Sequence, residues 1–376
     1  MIHLLSISLM SLTLSSGFEP SIPSRPSCIR LENVSQQYPV TLIDKLFSSV
    51  PKREYAVQNI NLSLGHAAQL IAEGDMPQCD NPRLENDYGV ILLVGRSASG
   101  KSTILRLLAN MESPVEGCLR INGQKQSALS PRSEESYKFD MPLWMKLGTP
   151  VLHTSTSSEE FVNNKISVEC DLKRNALKTC TPQPVILERK PDFDNSMTVM
   201  ERIVRIGKEA TIQSTTWSPK QMKIHSEDND SERKNEVIQT LARDFVGILG
   251  LSEQQCTSLP SDLSPSGQYL FGIACACMVS VSPAIDNATS LLRHTCSNDN
   301  ILDTMACPYP ILLLDELFDA EAPSTVEKCS RGMLNLIKHG GVIVSATHRP
   351  GYFTSMTSRI ITLSGGKVLL EERQRT

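Results

Sequence analysis

The chain has 376 residues, 37 basic against 41 acidic side chains for a formal charge of -4, and 40% hydrophobic but only 5% aromatic residues. Binding to a phosphate backbone requires clustered Lys and Arg in excess, so this balance argues against nucleic acid as a partner. No uninterrupted apolar run reaches the roughly 18 residues of a membrane span. The length leaves open several domains or one core enlarged by insertions.

Residues 4–14, LLSISLMSLTL, form an apolar stretch followed by Ser15, Ser16 and Gly17, then Phe18 and a segment rich in Ser, Pro and Arg. The pattern predicts a targeting segment over residues 1–27, outside the fold. It resembles the two-part presequences of algae with secondary plastids, where Phe follows a small-residue cleavage site. The alternatives are a misplaced start or an uncleaved tail. The 11 cysteines are scattered without a CxxC pair, which favours free thiols over zinc or a disulfide framework.

The strongest motif follows a short apolar strand, GVILLV over Gly89 to Val94. It continues as Gly95-Arg96-Ser97-Ala98-Ser99-Gly100-Lys101-Ser102 and then as Thr103 and an apolar run at helical spacing, Ile104, Leu105, Leu107, Leu108 and Met111. In a strand, GxxxxGKS loop and helix, the glycines let successive N–H groups point inward at a phosphate, at the positive end of the following helix. Lys101 is placed to neutralise the β and γ phosphates, and the Ser102 hydroxyl to hold Mg²⁺.

Far downstream, Ile311 to Leu314 is an apolar run ending in Asp315 and Glu316. Buried parallel strands read as continuous apolar runs, and ligands bind beyond their carboxyl ends. Asp315 suits a water-mediated hold on Mg²⁺, and Glu316 the polarisation of an attacking water. A third strand, Val342 to Thr347, runs into His348. A lone His at a strand end is usually structural, but this is the third apolar run to end in a polar group.

These blocks resemble the ATP-binding cassette (ABC) ATPase family. CIRLENVSQQYP over Cys28 to Pro39 is similar to the family's opening strand, which implies that Tyr38 stacks on adenine. AVQNINLSL from Ala56, SPVEGCLRING from Ser113 and the closing SRIITLSGGKVLLEE from Ser358 resemble further family strands and hairpins. The resemblance implies a P-loop α/β fold with a RecA-like mixed sheet core, an antiparallel β subdomain and an α-helical signature subdomain. It also implies ATP and Mg²⁺ as ligands. Gly95, Ser97, Ser99, Gly100, Lys101, Ser102 and Thr103 become the phosphate-binding residues, Ser102 and Asp315 the metal residues, and Glu316, His348 and Lys101 the catalytic ones.

Three departures stand out. The family's glutamine before its helical subdomain is replaced by Arg189, which cannot offer an amide oxygen to a cation. The LSGGQ signature reads PSDLSPSGQ, leaving Ser264, Ser266, Gly267 and Gln268 as its nucleotide-contacting residues and either serine as the reaching hydroxyl. Proline is tolerated near a helix start, so the signature helix is expected over Tyr269 to Met278, with Phe271 about where the family has arginine. After the acids, LFDAEA stands for the usual PTSALD, with Ala322 where an aspartate crosses the dimer.

The reading is one cassette over residues 28–374, with polar insertions near 41–54, 72–88, 125–183, 213–235 and 284–308 expected as surface loops. Within them, only Phe139 to Leu152 has enough apolar content to pack. The resemblance implies an ATP-hydrolysing subunit that pairs with a second cassette, as homo- or heterodimer, and drives separate membrane-spanning transporter subunits. Its expected location is peripheral to a membrane, in a plastid or in the cytoplasm. The alternatives are a soluble cassette acting as assembly factor or scaffold, and a hydrolysis-poor regulatory cassette. A P-loop kinase has no use for the Tyr38, SPSGQ and His348 blocks.

Overall fold

The computed structural model describes residues 28–37, 55–65, 89–121, 124–126, 145–147, 182–188, 195–216, 227–292 and 309–373. The expected targeting segment, Tyr38, Arg189 and the insertions at 41–54 and 72–88 lie outside these residues.

Among the described residues, eleven strands fall into two sheets. Strands β1 (Cys28–Gln37), β2 (Tyr55–Gly65), β4 (Glu116–Ile121) and β5 (Gln124–Lys125) form an antiparallel sheet ordered β2-β1-β4-β5. Glu32 on β1 pairs with Arg120 on β4 at 3.0 Å and lies beside Arg30 at 3.4 Å. Burial pushes the Glu32 carboxyl up, but the hydrogen bonds from Arg120 and Cys118 and the two cations outweigh it and hold it below the usual range.

The larger sheet holds β3 (Val90–Gly95), β6 (Met145–Leu147), β7 (Val185–Leu187), β8 (Ile311–Asp315), β9 (Val342–Thr347), β10 (Thr357–Ser364) and β11 (Lys367–Arg373). Its order is β11-β10-β3-β9-β8-β7-β6, parallel through the middle and antiparallel at both edges. Both faces are covered. Ile91, Leu93, Ile311, Leu313 and Val344 pack into one core with the antiparallel sheet and helix α1 (Lys101–Leu108), while Leu92, Leu312, Leu314 and Ile343 pack into a second with the remaining helices. Two-sided burial is why β3 and β8 read as unbroken apolar runs. Of the expected packing segment at residues 139–152, Met145–Leu147 is described and forms β6, the antiparallel edge beside β7.

The helices of the second core are α2 (Val199–Thr216), α3 (Glu227–Leu249), α4 (Glu253–Thr257), α5 (Pro265–Leu292) and α6 (Pro323–Lys338). Two of the expected loops give way here in part to helix, while their residues 217–226 and 293–308 lie outside the described residues. Residues 213–216 close α2, residues 227–235 open α3, and the signature helix runs to Leu292, not only to Met278. Nothing in the polar run EDNDSERKN shows a period, but it extends a helix already anchored by Val237, Ile238, Leu241 and Phe245. Adding a residue to an existing helix is far easier than nucleating one.

By length and composition, the Pro265–Ile285 part of α5 is apolar enough to cross a membrane, but 89% of its apolar window is buried in the fold. It is the central core helix. Ser266, Gly267, Gln268, Gly272, Ser280, Ser282 and Pro283 interrupt its apolar residues, so it contains no long unbroken apolar run. Pro283 lies inside this helix and leaves the Val279 carbonyl without its usual donor; the Ser282 hydroxyl supplies one at 2.8 Å. Among the described residues, no disulfide joins Cys28, Cys118, Cys256, Cys275, Cys277 or Cys329.

Candidate nucleotide site

The loop between β3 and α1 is built by close packing. A Cβ on Gly95 would lie 2.5 Å from the Leu363 carbonyl and 2.6 Å from Ser99 Oγ. Gly100 has φ 102°, and a Cβ there would lie 2.7 Å from Val57 Cγ1 and 2.9 Å from the Ala56 carbonyl. Ala98, also left-handed at φ 60°, completes a curl of backbone. The Gly365-Gly366 turn between β10 and β11 supports this curl, with Gly366 N donating to the Ser99 carbonyl at 3.2 Å.

Three features fit this cradle to a phosphate. The first turn of α1 has neither a capping side chain nor an acid, so its N–H groups face outward. Ser99 Oγ is buried with no hydrogen-bond partner. Lys101 is only 5% exposed and spends its ammonium on the carbonyls of Gly95 at 3.1 Å and Arg96 at 3.4 Å, contacts a more negative ligand would replace. Ser97 is exposed, and Ser102 and Thr103 are partly buried at the helix start.

Strand β8 delivers the acids two places along the sheet. Ser102 Oγ donates to Asp315 Oδ1 at 3.3 Å. Burial pushes the Asp315 carboxyl up; the Ser102 hydroxyl and Arg106 oppose this, while Glu316 and Glu188 add to it. A cation would relieve that excess of acid. Among the described residues no three His, Cys, Asp or Glu side chains cluster as a metal cage. One carboxylate beside one hydroxyl suits Mg²⁺, which takes its other oxygens from phosphate and water.

Glu316 leaves the strand with φ 55°, its N–H bonded to the Ala346 carbonyl at 2.9 Å. The turn carries its carboxylate to His348 Nε2 at 2.9 Å, and Lys101 Nζ lies 3.5 Å from the same nitrogen. Lys101, Ser102, Asp315, Glu316 and His348 are thereby gathered at the carboxyl edge of the parallel sheet, where ligands of such sheets bind.

The signature residues are elsewhere. No hydrogen bond among the described residues joins Ser264, Ser266, Gly267 or Gln268 to the phosphate loop. Ser264 caps α5, accepting from Gly267 N at 3.2 Å, and its hydroxyl lies 3.2 Å from that of Ser266. Gln268 Nε2 turns back to the Leu263 carbonyl at 3.3 Å. Phe271 is fully buried in the core, which is why no arginine occupies that position. Ala322 opens α6 without a side-chain cap.

Two residues near the site were not singled out by their sequence pattern. Asp319 bonds the Thr347 hydroxyl at 2.5 Å and the His348 N–H at 2.9 Å. Glu321 accepts from the buried Tyr269 hydroxyl at 2.8 Å. The only cue was two acids in a six-residue stretch between strand and helix, which by itself reads as helix-start charge.

A strand, a glycine-built loop and a helix, with an acid-tipped parallel strand two places along the same sheet, define the P-loop NTPase class. Within that class, the family model described as "ABC transporter" matches residues 86–289, more than half of the 376-residue chain. The chain belongs to the ABC transporter family. It is similar to the histidine/lysine/arginine/ornithine transport ATP-binding protein HisP of Salmonella typhimurium, 22% identical over 279 residues, 74% of this chain and 77% of that protein. It is also similar to the methionine import ATP-binding protein MetN 3 of Shouchella clausii, 42% identical over 59 residues, which span 15% of this chain and only 17% of that relative. Among solved structures, the dimeric bacterial ABC transporter cassette MJ0796 aligns with TM-score 0.44 and 17% identity, covering 93% of this chain and 99% of that one. The ADP conformation of the cassette MJ1267 aligns with TM-score 0.48 and 14% identity, covering 93% and 92%.

Proposed function

We propose that the chain binds ATP with Mg²⁺ and hydrolyses it as the energy-supplying subunit of a transporter. In this reading it pairs head to tail with a second cassette and acts on separate membrane-spanning chains. The observation that carries the proposal is the convergence of Lys101, Glu316 and His348, with Lys101 Nζ at 3.5 Å and Glu316 Oε1 at 2.9 Å from one imidazole nitrogen. The names of similar proteins, transport and import ATP-binding proteins, support the transport role.

The loop amides and Lys101 would hold the phosphates, with Lys101 exchanging the carbonyls of Gly95 and Arg96 for phosphate oxygens. Ser102 and Asp315 would hold Mg²⁺, which when bound neutralises charge building up on the phosphates. Glu316 would accept a proton from the attacking water, and His348 would hold the γ-phosphate side and orient Glu316. Ser264 is committed to its own helix, which leaves Ser266 as the hydroxyl offered to a nucleotide on the second cassette. Tyr38 for adenine and Arg189 at the glutamine position remain part of the proposal on resemblance alone. So does plastid location, which rests on residues 1–27.

A hydrolysis-poor regulatory cassette is the second reading, favoured by Ala322 and by the capped, proline-bearing signature start. Both readings predict that Lys101→Ala loses binding of a fluorescent ATP analogue by at least about a hundredfold, since a buried charged contact is removed. The motor reading predicts that Glu316→Gln keeps binding and lowers turnover by about 10²–10⁴-fold. Equal turnover in Glu316→Gln and the unaltered protein would leave the regulatory reading. Co-purification of a membrane-spanning chain from solubilised membranes tests the transporter role; full recovery as a soluble protein without one points to a scaffold.

A further inference from the structure

We propose that Asp319 is a positioning residue for hydrolysis, holding the backbone of His348 in register with Glu316. The proposal rests on the ATPase reading for its kinetic part. The two reacting side chains are poorly anchored by packing: His348 is 39% exposed and Glu316 46%. Something other than the core must keep their 2.9 Å contact in place.

Asp319 touches both segments. Its N–H donates to the Glu316 carbonyl at 3.1 Å, closing the turn that follows β8. Its carboxylate faces the end of β9, where Oδ1 accepts from the Thr347 hydroxyl at 2.5 Å and Oδ2 from the His348 N–H at 2.9 Å. Thr347 is buried, and its hydroxyl in turn accepts from Arg349 N at 2.9 Å. One ionised carboxylate therefore gathers three consecutive residues, 347 to 349, around the histidine. Charge-assisted bonds of this kind are about twice as strong as neutral ones.

A histidine that drifts by an ångström costs an enzyme about a hundredfold in rate. Among the described residues no hydrogen bond or ion pair joins Asp319 to Lys101 or Ser102, so its loss should affect turnover more than affinity. Asp319→Ala is expected to lower kcat by about ten- to a hundredfold, with KM and nucleotide Kd within about threefold. Asp319→Asn keeps one accepting oxygen and should fall between. Since the effect passes through His348, Asp319→Ala in a His348→Ala background should slow the enzyme by less than about twofold.

A second measurement does not depend on turnover. Amide hydrogen exchange in the nucleotide-free full chain, followed by NMR, should speed up at least tenfold at His348 in Asp319→Ala, with Val344 inside β9 unchanged. Unchanged exchange at His348, or an Asp319→Ala penalty that persists undiminished without the histidine, overturns the proposal. If the unaltered protein hydrolyses no ATP, the ATPase reading falls, and the exchange result alone upholds or overturns the hold on His348.

Discussion

Glu316 has a left-handed backbone that a glutamate adopts at a cost of about 1 kcal/mol or more. The turn is useful because it takes the side chain off the line of β8 and aims it at His348. Glycine would relieve the strain, partly offset by its own chain entropy. Glu316→Gly is therefore expected to leave stability unchanged or raise it by up to about 1 kcal/mol in urea melts, while turnover is lost. Glu316→Ala should lose turnover without that gain. The Asp-Glu pair at a strand end was visible in the sequence, but the positive φ was not, since it follows from how β8 meets β9. Asp319 was missed for the same reason: its partners, Thr347 and His348, are almost thirty residues away along the chain.

At the scale of elements, helix α5 joins the signature segment to the strands of the site. Its Ser280 is fully buried, donates to the Gln183 carbonyl at 2.6 Å and accepts from Ile311 N at 3.1 Å. Gln183 N returns a bond to the Ser280 carbonyl at 2.7 Å. One hydroxyl thus connects the start of β8, the approach to β7 and the middle of the helix. Ser280→Ala would remove the acceptor of the buried Ile311 N–H and one donor to the Gln183 carbonyl, and we expect a loss of about 1–3 kcal/mol in denaturant melts. The helix begins at Pro265, four residues before the expected start at Tyr269, and runs on past Met278, where Val279, Val281, Ala284 and Ile285 are buried in the same core. A neighbouring link, Tyr269 to Glu321, joins the same helix to the turn bearing Asp319. Burial and then Glu321 raise the Tyr269 hydroxyl well above its usual value, so it remains a donor.

For the molecule as a whole, the phosphate loop packs against β2 and the β10–β11 turn, so a ligand in the loop stabilises both sheets together. Anything that binds only the folded state adds RT ln(1 + [L]/Kd), about 2.7 kcal/mol at a hundred times Kd. Saturating MgATP is expected to raise the melting temperature by roughly 3–5 °C, and Lys101→Ala to abolish the shift. A shift that persists in Lys101→Ala would place the nucleotide elsewhere.

The sequence by itself determined the class of fold and named most residues of the candidate site. Glycine spacing, lysine and helix follow one another directly, and continuous apolar runs mark strands buried on both faces. Tertiary structure decided how the distant pieces meet. The parallel register that pairs Asp315 with Ala346 sets Glu316 beside His348, and the same register offers Asp319 the Thr347 hydroxyl and the His348 amide. Register is a property of two strands at once, so no local pattern carries it.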